Sequence, residues 1–156
     1  MTNSTDMAPD TPEQAALRVA QFFETIGPND VVRIKDLYCA DAFFKDPFNE
    51  VRGVNAITPI FSHMFDALIQ PRFVITQKIQ QGEHCFVTWD FLFAMRKFEP
   101  NTTQTIRGAS HLVFRLEEGV WRVAIHRDYW DAAEELYEKL PVVGALMRWL
   151  KKRANS

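Results

Sequence analysis

The segments FVITQKIQ (73–80), CFVTWDFLFAMR (85–96), TQTIRGASHLVFRL (103–116) and VWRVAIHRDYW (120–130) decide the fold. All are rich in β-branched and aromatic residues and long enough to cross a sheet. Between them lie Gln81-Gly82-Glu83, Pro100-Asn101 and Glu117-Glu118-Gly119, compositions that turn a chain back on itself. Strands in succession joined by short turns predict an antiparallel meander.

Upstream the periodicity is helical. Thr11 reads as an N-cap, with Pro12 in the first turn and Leu17, Ala20, Phe23 and Ile26 on one face. Gly27-Pro28 ends that helix, and Asn29 or Asp30 caps a second carrying Val31, Ile34, Leu37 and Tyr38. A short extended run, Phe43-Phe44-Lys45-Asp46, stops at Pro47, because a residue before proline avoids helical geometry. Residues 49–53 read as a turn, and Val54, Ile57, Ile60, Phe61, Met64, Phe65 and Leu68 mark a third helix closed by Pro71. Beyond Trp130, Asp131 opens a helix broken at Pro141 and resumed with Val143, Leu146, Met147 and Leu150 on one side. Helices followed by a long sheet predict an α+β fold with the helices on one sheet face. The expected organisation is a polar, disordered tail (1–10), one domain (11–135) and a C-terminal helical extension (136–156).

A chain of 156 residues with 13 Phe and 4 Trp can build one thick core or an aromatic pocket wall, and composition leaves both open. Eighteen basic against twenty acidic residues give no basic field, which argues against nucleic acid. Cys39 and Cys85 lack metal or redox spacing and read as buried thiols, while His63, His84 and His111 form no ligand grouping. No metal and no cofactor are expected. The N-terminus lacks the basic start and apolar run of an export signal, and no apolar stretch reaches the ~18 residues of a membrane span, so a cytoplasmic protein is expected.

Tyr38-Cys39-Ala40-Asp41-Ala42-Phe43-Phe44-Lys45-Asp46-Pro47, followed by Gly53-Val54-Asn55-Ala56-Ile57, resembles the segment of ketosteroid isomerases in which a strand ends in Asp-Pro before a Gly-led helix. Arg127-Asp128-Tyr129-Trp130-Asp131 resembles the last strand of limonene-epoxide-hydrolase-like and SnoaL-like polyketide cyclase proteins. Both motifs, in this order, are similar to the nuclear transport factor 2 superfamily. That resemblance implies a cone-shaped, cystatin-like roll: three N-terminal helices on a curved, mostly antiparallel sheet enclosing a cavity. It also implies a homodimer.

Carried over by position, the resemblance puts the isomerase general base at Asp46 and the cyclase and hydrolase acid at Asp128. The isomerase oxyanion positions fall on Phe22 and on Ser110 or Leu112, and a Phe cannot donate a hydrogen bond. The hydrolase water-activating positions fall on Asp90 and Leu92, with Asp46 and Phe44. The arginine that chemistry needs is missing.

Strand alternation puts His126, Asp128 and Trp130 on one face, which the resemblance turns inward. The same rule groups Asp90 with Leu92, and Ser110 with Leu112 and Phe114. Asp128 is the expected acid, Asp46 the base and His126 a tuning group, with the remainder binding a small apolar or carbonyl-containing molecule. Simpler roles remain open: Asp46 as a turn cap, Asp128 as half of an ion pair, His126 as a satisfied core residue and Asp90 as a surface group.

Overall fold

A computed structural model describes residues 8–97, 99–135 and 141–154. Helix α1 (Pro12–Thr25) is capped reciprocally, Thr11 Oγ1 accepting from Gln14 N–H while the Gln14 side chain accepts from Thr11 N–H. Its inward side buries Ala15, Ala16, Val19, Phe22 and Phe23. A 3₁₀ turn (Pro28–Arg33) and α2 (Ile34–Leu37) follow, started by Asp30 Oδ2 accepting from Gly27 N–H. Tyr38 does not continue this helix. It opens strand β1 (Tyr38–Lys45), which pairs with β2 (Glu50–Arg52), where the sequence suggested a turn alone.

Helix α3 (Val54–Ala67) leads directly into β3 (Leu68–Gln81), so Pro71 lies inside a strand rather than closing a helix. The strand tolerates it because β3 is an edge strand whose register shifts between Ile69 and Arg72. β4 (His84–Met95), β5 (Gln104–Glu117) and β6 (Val120–Tyr129) complete the antiparallel meander. The sheet is mixed, in the order β2-β1-β6-β5-β4-β3, because β1 pairs parallel with β6.

One irregularity matters for the site. Phe114 faces Val123 and Val113 faces Ile125, which leaves Ala124 unpaired as a bulge in β6. Before the bulge Val123 is buried, Ile125 just after it is exposed, and His126 is again buried.

Helices α1 and α3 cover one sheet face, closing the main core around Tyr38, Phe44, Ile57, Phe61, Leu112, Phe114 and Val123. Each such side chain contributes roughly 1.5–3 kcal/mol of transfer free energy. After β6, Asp131 Oδ1 accepts from Ala133 and Glu134 N–H to cap α4 (Ala132–Glu135), and α5 (Pro141–Ala154) ends the described chain. The proposed tail lies largely outside the described residues, as do residues 136–140 of the extension and the side chains of Val143 and Met147. Asp10, inside the expected tail, is tied down: it receives Arg18 Nη1 and Nη2 at 2.7 and 2.8 Å and Trp121 N–H at 2.8 Å. No described helix is long and apolar enough to cross a membrane.

Candidate functional site

Between α3 and the inner sheet face lies a cavity of about 410 Å³, within the range of small-molecule sites. Its walls are aromatic: Phe73 stacks on Phe91 at 4.5 Å and meets the Trp89 ring edge-on at 5.7 Å, while Phe48 meets Trp130 at 5.5 Å. A smaller recess of about 40 Å³ lies deeper, beside Ser110, Leu112, His126 and Asp128. Phe61, Phe73, Trp89 and Asp128 border both spaces.

The polar groups form one chain. Ser110 and Asp128 face each other across β5 and β6, as do Leu112 and His126. Trp89 Nε1–H donates to Ser110 Oγ at 2.9 Å, and Ser110 O–H donates to Asp128 Oδ1 at 2.5 Å. From the other side, His126 Nε2 meets the same Oδ1 at 2.7 Å, and His126 Nδ1 meets Tyr38 Oη at 2.6 Å. An indole N–H only donates, so the direction is fixed at the Trp89 end. At the other end the Tyr38 hydroxyl is fully buried and has His126 as its one described partner. Its proton therefore goes to Nδ1, since an unpaired buried hydroxyl is costly. His126 is then the neutral Nε2–H tautomer, donating to Asp128. Burial, reinforced by the Asp128 charge, pushes the Tyr38 phenol well above its ordinary value and keeps it a donor.

All four donors thus run toward Asp128 Oδ1, and Asp128 Oδ2, unbonded within the described chain, is left for the cavity. Gly108 makes this possible. It sits opposite Trp89, and a Cβ there would lie 2.5 Å from Trp89 Cη2, so only a glycine lets the indole cross β5 to Ser110. Phe23, Tyr38 and Phe44 enclose the His126 ring, with Phe44 nearest at 4.9 Å between centroids.

Asp46 borders the cavity mouth with Asp128, but its oxygens are occupied. Oδ1 accepts from Phe48 N–H at 2.7 Å and Asn49 N–H at 2.6 Å, and the Asn49 amide reaches both oxygens. It is the cap of the Asp46-Pro47 turn. Phe44 and Trp130 line the cavity and Leu112 the recess, whereas Phe114 is packed wholly within the core.

Besides Phe114, two further placements differ from the sequence reading. Asp90 and Leu92 lie on the outer sheet face: β4 turns Val87, Trp89, Phe91 and Phe93 inward, and Asp90 stands opposite Arg107. The alternation was right and its phase was one residue out, although the unbroken apolar row 87, 89, 91, 93 was the stronger signal. Phe22 is a core residue, and its neighbour Phe23 borders the recess. Sequence reasoning also missed Tyr38, assigned to a helix, and Trp89. Among the described residues the one grouping of metal-type ligands is Cys39, Asp41 and Glu117, and the Arg115 guanidinium already pairs with both carboxylates there. Burial pushes the Cys39 thiol up to about 11.

Residues 19–126 match the family model described as SnoaL-like domain. No curated protein matches significantly. Among solved structures, the chain is similar to a hypothetical protein with a ketosteroid isomerase-like fold from Catenulispora acidiphila DSM 44928, in complex with trimethylamine. That match has 18% identity and a TM-score of 0.63, and covers 81% of this chain and 91% of the other. It is similar to a candidate SnoaL-like polyketide cyclase from Shewanella putrefaciens CN-32, again with 18% identity and a TM-score of 0.63, over 86% and 89% of the chains. An epoxide hydrolase of the LEH-like type from M. tuberculosis matches with 17% identity and a TM-score of 0.58, over 80% and 87%. These likenesses show the fold: a nuclear-transport-factor-2-like α+β domain with a mixed six-stranded sheet.

Proposed function

The chain belongs to the SnoaL-like domain family, and on that premise we propose that its cavity binds a small, largely apolar molecule on which Asp128 acts as the acid–base group. The observation that carries this is the division of labour within one carboxylate that borders the aromatic space: Oδ1 is held by His126 and Ser110, and Oδ2 has no partner among the described residues. A group held in this way can take a proton from a carbon next to a carbonyl and return it elsewhere on the same molecule, as cofactor-free isomerases and cyclases require. His126, Ser110, Tyr38 and Trp89 are positioning residues in this scheme. Asp46 contributes charge at the mouth. The trimethylamine complex of the Catenulispora relative supports small-molecule binding in this fold.

The test is Asp128→Asn. Turnover of a true substrate should fall by roughly 10²–10⁴-fold with the fold intact by circular dichroism; unchanged turnover removes Asp128 from the chemistry. A second reading, ligand binding without turnover, is favoured by the inward direction of every donor around Asp128, which leaves little to stabilise a developing oxyanion. Under it a ligand raises the melting temperature and no product forms. The outer sheet face exposes Val74, Phe86, Ile125 and Tyr129, which supports a homodimer through that face, and light scattering tests it.

A further inference from the structure

We propose that the cavity selects small organic cations, placing a tertiary or quaternary ammonium between Asp128 and the aromatic walls. The inference rests on the reading of the cavity as a ligand site and adds the chemical class of its occupant.

Charge is the first ground. The ionisable side chains lining the large cavity among the described residues are Asp46 and Asp128 alone. His126 borders the recess and not the large cavity, and both its ring nitrogens are engaged within the chain, by Tyr38 and Asp128. Lys45 and Arg127 border an open cleft outside the cavity that Asp46 and Asp128 also touch, but Lys45 binds Glu50 at 2.8 Å and the Arg127 guanidinium lies over the Tyr129 ring at 4.8 Å. A carboxylate walled by Phe and Trp without a counter-charge is a site whose favourable partner is positive.

Donor count is the second. Trp89, Ser110, His126 and Tyr38 spend their protons within the chain. Among the described residues the Trp130 indole N–H is the one lining side-chain donor without a described partner, so an anion would meet one neutral side-chain donor and two carboxylates.

The walls supply the third ground. Phe73, Trp89, Phe91, Phe48 and Trp130 present rings around the same space, and their negative faces attract a cation. They also set the kind of cation. A metal ion or primary ammonium would lose its water to a lining that offers few oxygens, whereas an alkylated ammonium is weakly hydrated and buries its methyl groups favourably.

The experiment compares phenyltrimethylammonium with tert-butylbenzene, which have the same shape and differ by nitrogen for carbon and one positive charge. Each is titrated against the full chain by tryptophan fluorescence, since Trp89 and Trp130 line the cavity. The cation should bind at least roughly tenfold more tightly, and Asp128→Asn should remove most of that preference while leaving tert-butylbenzene unchanged. Equal or tighter binding of tert-butylbenzene overturns the cation assignment and leaves the small-molecule cavity standing. Binding of neither probe overturns both. If Asp128→Asn fails to fold, the wild-type comparison decides.

Discussion

Tyr38→Phe isolates the direction of the buried hydrogen-bond chain. The substitution removes one oxygen from a side chain that is 1% exposed and leaves the ring to pack against the same neighbours. What changes is His126 Nδ1, which loses its donor at 2.6 Å in a residue 4% exposed. Neither tautomer relieves the loss. Keeping the proton on Nε2 leaves Nδ1 a buried acceptor without a partner, and moving it to Nδ1 leaves an unpaired N–H and breaks the bond to Asp128. The expected cost is that of one unsatisfied buried polar atom, about 1–3 kcal/mol. At this chain length that is roughly 2–4 °C of melting temperature per kcal/mol. Urea denaturation gives the free energy, and ¹⁵N NMR of the wild-type His126 ring tests the tautomer: Nδ1 should show the shift of an unprotonated nitrogen and Nε2 that of an N–H. A variant within about 0.5 kcal/mol of wild type, or a ring protonated on Nδ1, would refute the assigned direction.

Gly108→Ala drives a methyl to within 2.5 Å of Trp89 Cη2 and 3.0 Å of Trp130 Cβ, so the indole must leave Ser110. Destabilisation of about 1–3 kcal/mol and a changed near-UV tryptophan spectrum are expected, and a native spectrum would contradict the close approach. Asp10 supplies a pH test. The Arg18 guanidinium, helped by Trp121 N–H against the cost of burial, holds its carboxyl at about 2, below the ordinary range. A carboxyl depressed on folding stabilises above its unfolded value near 4 and loses that contribution as pH falls toward 2. With the Arg18 side chain 40% exposed, screening reduces the contribution to about 1 kcal/mol. Urea unfolding should therefore show Asp10→Asn less stable than wild type at pH 5–7, with the gap closing below pH 4. A gap independent of pH would remove the ion pair as its source.

Local chemistry made much of the fold legible. Thr11 with Pro12 announced a helix start, and the strands of the meander followed from their composition and turns. Long-range pairing was not legible. Nothing local tells Tyr38 to leave a helix and lie parallel beside Val123, because that register is set by β6, eighty-five residues later. Asp46 and Asp128 were visible through their motifs. Asp90 was misplaced because its facing was borrowed from a resemblance rather than taken from the apolar row beside it. The hydrogen-bond chain stayed hidden, since Tyr38, Trp89 and Ser110 converge only when four strands, β1, β6, β5 and β4, are laid side by side.

The unpaired Ala124 fixes more than a bend in β6. If the strand ran straight over the same residues from Val123, Ile125, Arg127 and Tyr129 would point inward, and His126 and Asp128 would face the outer surface. The lumen would then hold a guanidinium in place of a carboxylate. In this fold the sign of the interior field is a matter of parity, whether one residue in the last strand is counted by the ladder or skipped. Deleting Ala124 would leave His126 and Asp128 facing the lumen, whereas pairing Ala124 into the ladder would exchange them for Arg127 and Tyr129 with no substitution anywhere in the chain.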